Sequence, residues 1–206
     1  MALFGLFTRK KSPIRAPAEL ADFVDEQASA LVQEGILQNV RARAGDQADR
    51  ILNEQAFAGL TETARWRTYP LGLAMVAEMI DGLLRPHADA QRALADETID
   101  LVLGVFDSHP VPPAIGKNAW LDARSDLAMR LDHISTQPPR NVGDIPSPYI
   151  KRYLAEIPSH TGMTHPEAGA ALDALKRTLT KEREELETRM DASAMAKALL
   201  AGGGET

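Results

Sequence analysis

Cysteine is absent from the 206 residues, which excludes disulfides, thiolate nucleophiles and cysteine metal ligands. Aromatic residues are scarce, at 5% of the chain, and the plentiful alanine shifts the balance toward helix. No uncharged apolar run reaches the roughly 18 residues that a membrane span requires. The longest candidate, Tyr69 to Leu84, is interrupted by Glu78 and Asp81. A secretory signal would place its basic residues ahead of an apolar run of about 7 to 15 residues. Here the short Ala2 to Phe7 stretch precedes the basic cluster instead. Also missing are the G-x-S-x-G elbow, the Walker-type phosphate loop, G-x-G-x-x-G and H-E-x-x-H, so nucleophile-elbow and nucleotide-loop chemistry has no support. Together these absences predict a cytoplasmic chain.

What is present is ordinary for a globular protein: 44% hydrophobic and 25% charged residues, in a length that can bury a core without staples. The net charge of -6 is unevenly distributed. Residues 1–18 carry Arg9, Lys10, Lys11 and Arg15 with no acid, leaving -10 on the remainder. A body of that sign repels nucleic acid, so no nucleic-acid partner is expected.

Helical periodicity recurs along the chain. Leu20, Phe23, Val24, Ala28 and Leu31 predict a helix running to Arg43 and stopping at Gly45. Asp46 can cap a second segment that Gly59 ends, Thr61 can cap a third containing Trp66, and Pro70 restarts or kinks the chain. From Leu71 to Leu84 the segment is apolar on most of its circumference, as in a central core helix. With the segment from Ala88 to Ser108 it should form an antiparallel hairpin about Pro86. Residues 110–148 hold seven of the thirteen prolines and should be rich in loops, with one helix from Asn118 to Ile134. Ser147-Pro148 then opens a short helix with Tyr149, Ile150, Tyr153, Leu154 and Ile157. Thr164, His165, Pro166 and Glu167 have the form of a capping box. A helix of about 35 residues, some 50 Å long, should follow it, docking by a narrow leucine seam or projecting into a coiled coil. The fold class predicted is therefore all-α, an irregular multi-helix bundle. Its parts are a flexible basic arm (1–17), a helical domain (18–160), a long C-terminal helix (161–201) and a disordered tail (202–206).

Two acidic pairs stand out, Glu78 with Asp81 and Glu97 with Asp100, each at i, i+3 on one helix face of the hairpin. Were those faces to meet, four carboxylates would converge, an arrangement viable around a hard cation such as Mg²⁺ or Mn²⁺. The spacing resembles the all-α nucleoside triphosphate pyrophosphohydrolases, whose helical E-x-x-E and E-x-x-D pairs hold magnesium. The run Glu97, Thr98, Ile99, Asp100, Leu101, Val102, Leu103 looks like the second motif, whereas Asp81 stands where the first would have glutamate. About 30 of the 206 residues carry the resemblance. It implies Mg-dependent hydrolysis of a nucleotide or other phosphorylated small molecule, with Glu78, Asp81, Glu97 and Asp100 as metal ligands. The plainer reading makes both pairs solvated helix stripes, with Asp81 bound to Arg85 at i, i+4.

None of the histidines, His87, His109, His133, His160 and His165, shares i, i+4 spacing with another. His160 and His165 could meet only through the loop at Gly162, while His133 lies near a helix end, where the dipole favours it. Trp66 between Arg65 and Arg67 reads as a core indole flanked by snorkelling arginines. At the N-terminus, Leu3, Phe4, Leu6 and Phe7 followed by Arg9, Lys10 and Lys11 join an apolar foot to cationic charge. That combination suits a protein partner or peripheral contact with an anionic membrane. Missing chemistry makes the leading expectation a non-enzymatic helical interaction, adaptor or assembly protein that needs no cofactor, with the N-terminus, the proline-rich loops and the C-terminal helix as contact surfaces. The magnesium enzyme is the alternative. A third reading is an apolar ligand pocket between the hairpin and the helix of Leu121 to Ile134.

Overall fold

The first helix, α1 (Pro17–Ala44), begins with proline in its first turn. There the missing N–H costs nothing. The carboxylate of Glu19 accepts the backbone N–H groups of Arg15 (2.6 Å) and Ala16 (3.1 Å). Gly45, at φ +53°, ends the helix, in the left-handed region that favours glycine. This is a computed structural model of the chain and describes residues 12–165 and 167–202. Further helices are α2 (Ala48–Leu52), α3 (Gln55–Leu84), α4 (Gln91–Ser108), α5 (Gly116–Thr136), α6 (Ile150–Glu156), α7 (Ala168–Arg189) and α8 (Ala192–Gly202). Among the described residues there is no strand, and the fold is all-α; one isolated bridge joins Ile14 to Met190.

α3 corrects the expected breaks at Gly59, Thr61 and Pro70, because all three lie inside one helix of 30 residues. The Thr61 and Thr63 hydroxyls donate back to the carbonyls of Phe57 and Gly59 (3.0 Å each), so neither caps a new helix. Pro70 costs the helix about 3 kcal/mol. Fully or nearly buried Tyr69, Leu71, Leu73, Met75, Val76, Met79 and Ile80, at roughly 1.5–3 kcal/mol each, outweigh it. α3 packs most extensively on α1. At their crossing a Cβ on Gly72 would stand 2.8 Å from both the Ala28 carbonyl oxygen and Val32 Cγ1, so glycine sets the close approach.

The C-terminal region also departs from the expectation. Thr164 does not cap α7: its N–H donates to the Arg43 carbonyl (3.0 Å) and its own carbonyl accepts from Arg43 Nε (2.8 Å). The helix starts four residues later, at Ala168. Nor is it a single long helix. Met190 adopts extended geometry (φ -124°, ψ 135°), and the Asp191 carboxylate accepts the N–H of Ala194 (2.9 Å), which restarts the chain as α8. The seam of α7, Ala171, Leu175, Leu179, Glu182 and Leu186, is buried, with α7 packed against α1, α3 and α6. That seam is therefore unavailable for a coiled coil with another chain.

One hydrophobic cluster runs from Ile14 to Leu199, so the C-terminal helices share the core of the body. The described part of the expected arm is docked: Ile14 is buried, its N–H donates to the Arg189 carbonyl (2.9 Å), and Arg189 Nε donates to the Ser12 carbonyl (2.9 Å). Among the described residues no helix is long and apolar enough to cross a membrane.

Candidate functional site

Glu78 and Asp81 lie one turn apart on α3, and both are buried. Burial of a carboxylate demands a partner, and each has an arginine. The Glu78 carboxylate takes both arms of Arg140, the second at 2.6 Å, and accepts the Tyr149 hydroxyl at 3.4 Å. Asp81 holds Arg85 through both its oxygens, the expected i, i+4 pair, but this pair is buried and not the solvated stripe of the plainer reading. Arg85 reaches on to the carbonyls of Gln137 (2.6 Å) and Ile134 (3.4 Å). The acidic face of α3 thus pins the end of α5 and the proline-rich segment after it. Burial pushes the Asp81 carboxyl up against the opposing pull of Arg85. The Arg140 guanidinium is held above its usual range by its hydrogen bond to Glu78.

Glu97 and Asp100 face elsewhere. α4 buries Leu94, Thr98, Val102 and Val105, which turns the other two residues toward a cavity of about 460 Å³ shared with Asp22 and Asp25 of α1 and Leu199 of α8. The expected convergence of the four carboxylates is corrected on this point: Glu78 lines one cavity, and Glu97 and Asp100 line another. Among the described residues no three His, Asp or Glu side chains are grouped so that they could hold a metal ion.

A groove of about 690 Å³ lies between α5 and residues 137–149, with Glu78 of α3 in its lining. Ile134, Pro138, Pro139 and Pro148 supply apolar wall, and Met129 projects from α5 at 64% exposure. Arg130 lies over the Tyr149 ring at 5.9 Å, a cation-π contact. It has no carboxylate partner among the described residues, whereas Asp126 on the same wall is taken by Arg152 (2.6 Å). Burial, and then the charge of Glu78, pushes the Tyr149 phenol up to about 12, so it stays a neutral donor. No serine, threonine or cysteine is among the residues that line the groove. Sequence reasoning missed Met129, Arg130 and Arg140. A signal existed: α5 buries Trp120, Leu127 and Leu131, and Met129 is a large apolar residue off that stripe.

A second cluster joins α1, α3 and the end of α4. Asp25 Oδ1 accepts the Tyr69 hydroxyl (2.7 Å) and lies 3.0 Å from His109 Nε2, with the hydroxyl 3.1 Å from the same nitrogen. Trp66 packs edge-on against Tyr69, His109 and Trp120. Burial and Asp25 push the Tyr69 phenol far above its ordinary value. Tyr69 is 1% exposed, and the trio ties three elements together. Asp25 and His109 are 84 residues apart, beyond any local spacing. Trp66 is partly buried, donates to Glu62 (2.6 Å), and is covered by Arg65 at 4.4 Å.

His160 bonds Glu54 (3.1 Å) and the Gly162 N–H (3.0 Å), while His165 lines a separate cavity beside Arg43, so these two do not form a site. His133 lies on the groove wall. Leu3, Phe4, Leu6, Phe7, Arg9, Lys10 and Lys11 lie outside the described residues. In comparisons with protein-family models, curated proteins and solved structures, the chain matches none, so the likeness to the pyrophosphohydrolases gains no family match.

Proposed function

We propose that this chain is a non-enzymatic interaction protein whose groove between α5 and the proline-rich segment receives a protein segment carrying an apolar side chain beside an acidic one. The observation that carries the reading is Arg130, held over Tyr149 without an acidic partner among the described residues, next to the exposed Met129. An apolar side chain laid against Met129 and the prolines gains about 25 cal/mol per Å² buried, and methionine adapts its shape to the guest. Stiff proline walls lose little conformational freedom on binding. A carboxylate next to the apolar anchor completes the charge of Arg130 and fixes register. The apolar and basic residues from Leu3 to Lys11 belong to the same reading as a second contact, for protein or for an anionic membrane surface, in a cytoplasmic setting.

The test begins with a partner recovered on the wild-type chain, then identified and purified. Titration calorimetry would compare it with Met129→Asp and Arg130→Glu. Both variants should weaken binding at least tenfold, and replacing the partner's acid by lysine should rescue Arg130→Glu. Binding unchanged in both variants would remove the groove from the function.

A further inference from the structure

Glu182 occupies a seam position of α7 between Leu179 and Leu186, and it is only 4% exposed. Both carboxyl oxygens are closed to solvent and have no hydrogen-bond partner among the described residues. An ionised carboxylate so placed carries a large desolvation cost with nothing to offset it. The neutral acid can be tolerated there. Open space lies alongside: a cavity of about 370 Å³ between α1 and α7, lined by Gln27, Glu34 and Gln38 of α1 and by Thr178, Lys181 and Glu185 of α7.

The charged neighbours favour the neutral form. Glu34 on α1, whose carboxylate accepts Gln38 Nε2 at 2.8 Å, and Glu185 on α7, bound to Arg189 at 2.5 Å, both act on the carboxyl. Arg177 and Lys181 line the cavity without bonding Glu182. α3, α6 and the turn at residues 142–144 also pack on α7. In those elements Glu62, Arg65, Arg67, Glu78, Asp81, Arg152 and Glu156 are held in ion pairs of their own, and Asp144 and Lys151 are exposed.

We propose that Glu182 is a protonation latch: as the neutral acid it lets α7 close on α1, and on ionising it draws α7 away so that the carboxylate reaches water. This is independent of the groove reading. Burial, then the like charges of Glu185 and Glu34, raises the carboxyl from an ordinary 4.5 to about 8. For an acid raised on folding, the stabilisation is whole below 4.5 and is lost as pH climbs to about 8. Opening of α7 therefore becomes easier by up to about tenfold per pH unit across that window, and levels off above it. The movement has a reach beyond α7, because its last turn anchors Ile14 and Ser12. These residues lead into the basic N-terminal stretch.

Hydrogen exchange of the full chain tests this, read at α7 amides and at Ile14 from about pH 5 to about pH 9 and corrected for intrinsic exchange. The wild type should lose protection up to about tenfold per pH unit until about pH 8, then level off. Glu182→Gln, which cannot ionise, and Glu182→Met, which also removes the polar group, should be flat in the same range. Carbon NMR of the carboxyl gives its titration directly and should place it well above the ordinary glutamate range. A wild-type profile that is flat, or one reproduced by both variants, or a carboxyl titrating in the ordinary range, would overturn the latch.

Discussion

Gly72→Ala tests the packing of the whole fold with one carbon atom. The new Cβ would lie 2.8 Å from the Ala28 carbonyl oxygen and 2.8 Å from Val32 Cγ1. Val32 can shift its rotamer only within a fully buried site, and the carbonyl belongs to the backbone of α1 and cannot turn aside. Overpacking of this kind costs about 2–3 kcal/mol. Alanine recovers about 1 kcal/mol over glycine in a helix interior, leaving a net loss of about 1–2 kcal/mol. In a chain of this size each kcal/mol moves Tm by about 2–4 °C, so Tm should fall by roughly 2–8 °C. Gly59 on α3 and Gly104 on α4 serve as controls, since a Cβ at either meets nothing within 4 Å. With no steric charge, Gly59→Ala and Gly104→Ala should gain about 0.5–1 kcal/mol. Thermal and urea unfolding followed by circular dichroism would read all three. Adding Val32→Ala to Gly72→Ala removes one of the two clashes, so the double variant should lose less than the sum of the singles. If Gly72→Ala matched or exceeded the wild type, or if all three variants moved the same way, the crossing of α1 and α3 described above would be wrong.

Other expectations can be checked on the same instruments. Arg140→Ala leaves a buried carboxylate with only the Tyr149 hydroxyl, at 3.4 Å, and should cost about 3 kcal/mol or more. Glu78→Gln leaves the guanidinium on the more exposed side of the pair and should cost about 1–2 kcal/mol, so the two variants should rank in that order in urea. Asp191→Ala removes the cap of α8 and should cost about 1 kcal/mol, lowering the protection of amides in 192–202 more than in α7. Equal loss in both helices would mean that the break at Met190 is absent in solution.

The departures from the expected helix map share a cause. Gly59, Thr61 and Pro70 are local stop signals, but α3 carries enough buried apolar surface around Tyr69 to Leu84 to run through them, since tertiary burial outweighs propensity. The reverse happened at Asp191, where a good cap sits in a run with no glycine or proline, and docking of Ile14 on Met190 selects the break. Thr164 has the residues of a capping box, yet its backbone is committed to Arg43. The acidic residues of α3 were visible as a pair, but the arginine that occupies Glu78 is 62 residues away. No helical spacing could point to it.

By itself the sequence determined the helical class, the lack of cysteine and of a Walker-type or G-x-G-x-x-G loop motif, the end of α1 at Gly45 and the apolar stretch at the centre of α3. These follow from composition, from 3.6-residue periodicity and from glycine's freedom at positive φ, all properties of the chain within a few turns. The tertiary structure alone decided which faces of α3 and α4 meet what. It turned one acidic pair inward to two arginines and the other toward α1, folded the prolines over α5 to leave Arg130 above Tyr149, and buried Glu182 against α1. Those outcomes depend on side chains far apart in the chain, whose burial and pairing are fixed only when the helices pack.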